Sequence, residues 1–186
     1  MTELYLVRHG QTEWSRDGRH TSTTDLALTD VGRQEAEAVR PRLAGIDFGL
    51  VLSSPRSRAT ETARLAGFDE VELTGDLVEW DYGDYEGLTS ATIREDVPGW
   101  TVWTHPSPGG ETAEQITVRL GRVIERVRSS GVERAICFGH GHASRALALL
   151  WLELPLERGD SFPLETGTVS VLGEHKGLPA LRSWNA

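Results

Sequence analysis

Glu3-Leu4-Tyr5-Leu6-Val7-Arg8-His9-Gly10 carries an apolar run into an arginine, a histidine and a glycine, and that order governs how the 186-residue chain is read. Residues 3–8 are apolar and aromatic enough for a short buried strand, and Gly10 permits a sharp turn after it. His9 then stands at the carboxyl edge of a sheet, where open α/β sheets place their ligands. Imidazole is a good nucleophile at neutral pH, and the Arg8 guanidinium is a planar fork of donors that matches phosphate. The pair points to phosphoryl transfer to histidine. Taken alone, it also describes a strand-end histidine bonded to a backbone carbonyl.

Working outward, Thr29 caps a helix expected from Asp30 to about Leu43, with Asp30 and Glu35 near its positive end and Pro41 kinking or ending it early. Leu50-Val51-Leu52-Ser53 reads as a second strand, followed by a helix with Pro55 at its first position. Residues 112–128 form the clearest amphipathic helix, with Ile116, Leu120, Val123, Ile124 and Val127 at spacings of three and four. Arg134 to Gly139 is a buried strand and His142 to Leu152 a helix. Thr168–Leu172 and Leu178–Trp184 read as strands flanking a Gly173–Gly177 turn. Strands alternating with helices predict a three-layer α/β/α sandwich with a predominantly parallel sheet, made mixed by the closing hairpin.

The chain is long enough for one substantial core, and no linker divides it, so one domain over residues 1–186 is expected. A net charge of -9 argues against nucleic acid or anionic membranes as partners, because both need a basic face. Any anion site must be a local basic pocket. Cys137, the single cysteine, lies in an apolar run and reads as a buried small hydrophobe. The first residues lack a basic region followed by an apolar one, and Ala146–Leu156 is too short and too interrupted to span a bilayer. The cytoplasm is the expected location.

Three strand ends carry basic or imidazole groups: Arg8-His9, Arg58 and His140. Parallel strands joined by crossovers place those ends on one edge, where helix N-termini after Ser54 and Gly141 add N–H donors. Here the chain resembles the histidine phosphatase superfamily, the phosphoglycerate mutase-like fold. The resemblance rests on Arg8-His9-Gly10 with His140-Gly141 and Arg145, on Thr24-Asp25-Leu26-Ala27-Leu28-Thr29 before Gly32, and on Ser53-Ser54-Pro55 with Arg58-Ala59 and Glu61-Thr62-Ala63. Glu79 with Gly83 and Glu86-Gly87, and then Pro108-Gly109-Gly110-Glu111-Thr112, continue it in family order.

The resemblance implies that His9 is the nucleophile that becomes phosphohistidine. Arg8, Arg58 and a cationic His140 would hold the phosphoryl oxygens, where charge stabilisation dominates catalysis. It makes Glu79 the acid that protonates the leaving oxygen, with Trp80 and Tyr82 as apolar surroundings and Asp81, Asp84 and Glu86 as neighbouring carboxylates. Gln11 and Ser15 follow the nucleophile, Ser15 standing where the family commonly has asparagine. Thr21 aligns with a substrate-contacting turn, Gly141 with backbone donors, and Arg19 with a distal anionic group. His20 faces the entrance, while His105 and His175 fall in loops. His140 and His142 could mimic a metal pair, but no third ligand stands at matching spacing, so no metal and no cofactor is expected.

What takes the phosphoryl group from His9 separates the activities. Mutases of this family are longer, with basic residues inserted after the Glu79 region; here Arg94 is the single Lys or Arg of residues 88–111. That segment, with Glu95, Asp96, Pro98, Trp100 and Trp103, favours hydrolysis, and residues 80–111 are expected to cover the active site. Arg19–Asp25 and Glu79–Gly87 resemble bacterial acid phosphatases and relatives acting on sugar bisphosphates such as sedoheptulose 1,7-bisphosphate. The reading is a phosphomonoesterase acting on small phosphorylated metabolites, with a phosphoglycerate mutase or a sugar bisphosphatase as alternatives. A catalytically silent phosphate-binding scaffold would have little need for both nucleophile and acid. A homodimer would use an exposed strand or the Trp-bearing surface.

Overall fold

Alternation along the central strand, β4 (Arg134–Gly139), builds two cores at once: Ala135 and Cys137 enter one apolar cluster, Ile136 and Phe138 the other. The computed structural model describes residues 2–186, and in it β4 lies between β1 (Glu3–Arg8) and β2 (Leu50–Ser53). With β3 (Glu72–Leu73), β5 (Val169–His175) and β6 (Leu178–Ser183), the sheet order is β3-β2-β4-β1-β5-β6. The first four in that order are parallel; β5 pairs antiparallel with β1, and β6 antiparallel with β5, which makes the sheet mixed.

Short helix α1 (Glu13–Arg16) follows the turn after β1. Helices α2 (Asp30–Leu43) and α3 (Ser57–Leu65) supply Val39, Leu43 and Ala63 to the cluster around Ile136 and Phe138. On the other face, beyond the short α4 (Ser90–Asp96), α5 (Ala113–Ser129) contributes Ile116, Leu120 and Val123, and α6 (Gly141–Trp151) contributes Ala146 and Leu147. The helical period of these residues against the strand period of two makes the three-layer sandwich. Among the described residues no helix is long and apolar enough to cross a membrane.

Pro41 does not shorten α2, which runs to Leu43; it sits in the last turn, where its missing N–H costs one bond. The helix after β2 starts at Ser57, not at Pro55. Arg56 is extended, and the Asp25 carboxylate accepts from the Ser57 N–H at 3.0 Å and from its hydroxyl at 2.9 Å, so the cap comes from a distant loop. β5 continues past Gly173 to His175, and the turn shrinks to Lys176-Gly177.

Register sets the position of the site. Arg8 lies beside Gly139, the His9 N–H donates to the Gly139 carbonyl at 3.0 Å, and the Ser54 N–H donates to Phe138 at 2.9 Å. The ends of β1, β2 and β4 thus meet on one edge. The turn after β1 rests on the first turn of α2 so closely that a Cβ on Gly32 would stand 2.1 Å from the Gln11 carbonyl oxygen. Only glycine fits there.

Residues 80–111 fold onto the body through their aromatic groups: the Trp80 and Trp103 rings meet at 5.6 Å, and Trp100 meets His20 at 5.2 Å. Trp80, Trp100 and Trp103 are all buried, so they form no exposed surface for a dimer. Aromatic area of that size is better buried within the chain than left to a partner. Both edge strands are exposed, Leu73 of β3 being 56 % and Leu178 of β6 69 % exposed.

Candidate active site

His9 is buried and its Nδ1 lies 2.7 Å from the Gly10 carbonyl oxygen. A carbonyl only accepts, so Nδ1 carries the proton and Nε2 keeps its lone pair. Burial, followed by the Arg58 and Arg8 charges, lowers the His9 pKa well below the ordinary imidazole value. The ring is therefore neutral and nucleophilic at Nε2. Beside it, Arg8 gives one Nη to the Leu164 carbonyl, while its Nε is buried with no partner among the described residues. A buried N–H without an acceptor costs free energy.

Arg58 and His140 are completely buried, and the His140 ring packs 5.2 Å from that of His9. The Arg58 Nε–H donates to His140 Nδ1 at 3.2 Å, which leaves the His140 proton on Nε2, facing Ser54 Oγ at 2.8 Å. The expected cationic His140 is thus corrected: burial first, then the Arg58 charge, push its pKa well below the ordinary value, and the ring is neutral. The other Arg58 donors reach the Thr24 carbonyl at 3.0 Å, Ser22 at 3.3 Å and Thr21 at 3.4 Å. Glu86 takes the N–H groups of the same loop, from Ser22 and Thr24 at 2.9 Å each. Loop 21–24 is held from both sides of its peptide groups.

Glu79 stands at the N-terminus of α6. Its Oε1 accepts from the Ala143 N–H at 2.7 Å and the Trp80 N–H at 2.9 Å, and its Oε2 accepts from the His142 N–H at 3.0 Å. A carboxylate offers about four lone-pair positions, so one remains, on Oε2. Arg119 fixes the backbone beneath it, donating to the Glu79 carbonyl at 3.2 Å and pairing with Glu111 at 2.5 Å. The Tyr82 hydroxyl meets His142 Nδ1 at 2.6 Å, and burial raises the Tyr82 pKa well above its ordinary value, keeping the phenol protonated. His20 packs 4.6 Å from the Tyr82 ring and burial lowers its pKa to about 4.

These side chains line a chamber of about 230 Å³, with Arg8, His9, Glu79, Tyr82 and His142 joined by Ser15, Arg19, His20, Thr21 and Ser90. A nucleophilic imidazole, a free guanidinium N–H and a carboxylate in one small chamber can accept a phosphoryl group. The sequence model of the Histidine phosphatase superfamily (branch 1) matches residues 4–186. The chain belongs to the histidine phosphatase superfamily.

Within that superfamily it is similar to an acid phosphatase of Mycobacterium tuberculosis, 42 % identical over 96 % of this chain and 89 % of the relative. It is also similar to sedoheptulose 1,7-bisphosphatase of Saccharomyces cerevisiae, 36 % identical over 82 % of this chain and 68 % of the relative. Among solved structures, the product of open reading frame Rv3214 from Mycobacterium tuberculosis superposes with a TM-score of 0.95 at 40 % identity, covering 99 % of this chain and 97 % of that one. The protein is a histidine phosphatase, a phosphoric monoester hydrolase with the phosphoglycerate mutase-like fold.

The structure brings most of the histidine phosphatase residues expected from sequence to one chamber, and leaves some outside it. Arg8, His9, Glu79, Ser15, Arg19, Thr21 and Tyr82 line it; Arg58 and His140 pack beside His9 without lining it. Gln11 is turned away, its side-chain oxygen accepting from the Thr29 hydroxyl at 3.0 Å, because that pair ties the turn to α2. The Ser15 hydroxyl is committed to the α1 capping box with Thr12. Gly141 backs onto Arg8: a Cβ there would stand 3.4 Å from the guanidinium carbon. Arg19 donates its Nε to the Gly87 carbonyl at 2.6 Å and stacks on Trp14. The sequence shows His142 only as half of a metal pair and Ser54 only as the residue before a helix, giving its hydroxyl no role; the first-turn position of His142 in α6 is the available signal for the former. For Ser54 the signal is spatial.

Proposed function

We propose that this histidine phosphatase hydrolyses small phosphorylated metabolites through a phosphohistidine on His9. The observation that carries the reading is the neutral, Nδ1-protonated His9 beside the unpartnered Arg8 Nε. In the first step a bond forms from His9 Nε2 to phosphorus as the ester P–O bond breaks, and the Glu79 carboxyl gives its proton to the leaving oxygen. In the second, water attacks phosphorus, its proton passes to Glu79, the P–N bond breaks and inorganic phosphate leaves. The open position on Glu79 Oε2 serves both transfers. Arg8 receives one phosphoryl oxygen, and the long Arg58 Nη2 bonds at 3.3 and 3.4 Å are those a second oxygen replaces.

Hydrolysis is favoured over mutase chemistry because Arg94 donates its Nε to the Trp100 carbonyl at 2.8 Å and does not line the chamber. Residues 80–111 act as its cover, within one domain. A sugar bisphosphate is the second reading, favoured by the exposed Arg19 in the chamber lining, which suits a second anionic group. One buried cysteine without a pairing partner suits the cytoplasm. A panel of phosphate esters, assayed at mildly acidic pH with EDTA present, tests the reading. Phosphate release, with a phosphoenzyme that His9→Ala abolishes, is expected; isomerisation of 3-phosphoglycerate with little phosphate release would replace it with the mutase.

A further inference from the structure

Arg8 leans on the loop of residues 163–168, just before β5. The Leu164 carbonyl accepts from its Nη, the Thr168 carbonyl accepts from its N–H at 3.3 Å, and the Gly167 N–H donates to the Arg8 and His9 carbonyls at 3.2 and 3.3 Å. Burial lowers the Arg8 pKa, and the charge of Glu165, on the same loop, is among those that oppose the shift. The loop is held in turn by residues 184–186. The Trp184 Nε1–H donates to the Pro163 carbonyl at 2.6 Å, the Asn185 side-chain oxygen accepts from the Glu165 N–H at 2.7 Å, and Ala186 exchanges backbone bonds with Val169 at 3.0 and 3.2 Å. Leu164, whose carbonyl carries Arg8, lies between the two side-chain contacts. Asn185 reaches Glu165 from a left-handed backbone, φ 53°, which glycine, asparagine and aspartate adopt most readily, and its own N–H donates to Ser170 Oγ at 3.0 Å. Trp184 packs edge to face on Phe162 at 5.5 Å.

We propose that Asn185, with Trp184 beside it, is a positioning residue for the reaction: by bracketing the Leu164 carbonyl, the two set the direction of the Arg8 guanidinium and so the place of its unpartnered Nε–H. Neither residue lines the chamber, so both act through Arg8. The inference rests on Arg8 receiving a phosphoryl oxygen. A guanidinium that must meet that oxygen at a fixed point is only as well aimed as the carbonyl it leans on. Displacement of such a contact by about 1 Å costs up to about 10²-fold in rate, which is why a functional group needs a rigid support behind it.

¹⁵N NMR of the arginine Nε–H groups reads the brace without turnover, the Arg8 resonance being the one that Arg8→Lys removes. Asn185→Gly keeps the left-handed backbone and deletes the acceptor. It is expected to shift the Arg8 resonance and to weaken orthovanadate binding and kcat/KM for phenyl phosphate, each about tenfold. Asn185→Asp puts the acceptor oxygen back and is expected to restore all three readouts. Trp184→Phe removes the donor to Pro163 and keeps a ring against Phe162; it is expected to shift the same resonance, and it carries the test should Asn185→Gly not fold. A lowered Tm in Asn185→Gly or Trp184→Phe, with the Arg8 resonance and orthovanadate affinity of wild type, makes the contacts structural alone and overturns the proposal. So does a loss in Asn185→Asp equal to that in Asn185→Gly. Absence of hydrolysis and of orthovanadate binding in the wild type would defeat the phosphohistidine reading instead, while the resonance still decides whether Asn185 aims Arg8.

Discussion

Replacing Glu79 by glutamine separates what this carboxylate does for the fold from what it does for the reaction. Glutamine keeps the shape, and its oxygen can still accept from the Trp80 and Ala143 N–H groups, but its amide nitrogen then faces the His142 N–H now bonded at 3.0 Å. One charge-assisted bond is lost and a donor meets a donor, a cost of about 1.5–3 kcal/mol. For a chain of this size that lowers Tm by about 3–12 °C, leaving a folded enzyme to assay. Chemistry responds differently according to leaving group. An alkoxide needs the proton that Glu79 delivers, so alkyl phosphates are expected to lose about 10²–10⁴-fold in kcat/KM. Nitrophenolate leaves without it, so p-nitrophenyl phosphate is expected to lose far less in the step that forms the phosphoenzyme. Single-turnover rates for the two esters, with thermal melts on the same samples, give the comparison. Equal slowing of both esters would refute the reasoning and reduce Glu79 to a helix-terminus anchor.

His20 has its pKa lowered to about 4 by burial, against about 6.5 in the unfolded chain. The unfolded state then binds the proton first, so this contribution is complete above about pH 6.5 and is lost as pH falls towards 4, about 3 kcal/mol in all. His20→Phe is expected to flatten that part of the acid dependence in urea melts, and an unchanged difference between pH 7 and pH 4 counts against it. Gly32→Ala places a Cβ 2.1 Å from the Gln11 carbonyl oxygen, so the turn carrying His9 must shift. The gain in helix propensity, about 1 kcal/mol, is expected to be outweighed, and a wild-type melting temperature would show that the turn yields freely. Arg119→Met leaves the Glu111 carboxylate unpaired and frees the carbonyls of Asp76, Val78 and Glu79. A loss of about 3–5 kcal/mol is expected, with less than the sum of the single losses when Glu111→Gln is added, and additive losses would mean that the pair is not coupled.

Legibility in the sequence follows the range of the forces involved. Arg134–Gly139 is a strand over the residues its apolar run marks, and α5 falls within a residue of its periodic pattern, because strand and helix periods are local properties. The start of α3 was not legible, since Asp25, thirty-two positions away, supplies its cap. Trp100 and Trp103 read as a candidate dimer surface because no local pattern shows that Trp100 meets His20 and Trp103 meets Trp80.

At the site the same division holds. Strand ends place Arg8, His9, Arg58 and His140 on one sheet edge, and the order of motifs adds Glu79 through the family resemblance. Tertiary structure alone decided which nitrogen of His9 bears the proton, that His140 is neutral, which lone pair of Glu79 stays open and that Gln11 turns away. Protonation and lone-pair occupancy depend on burial and on partners that arrive from other elements. A sequence names the groups that can react; only packing sets the proton each one holds.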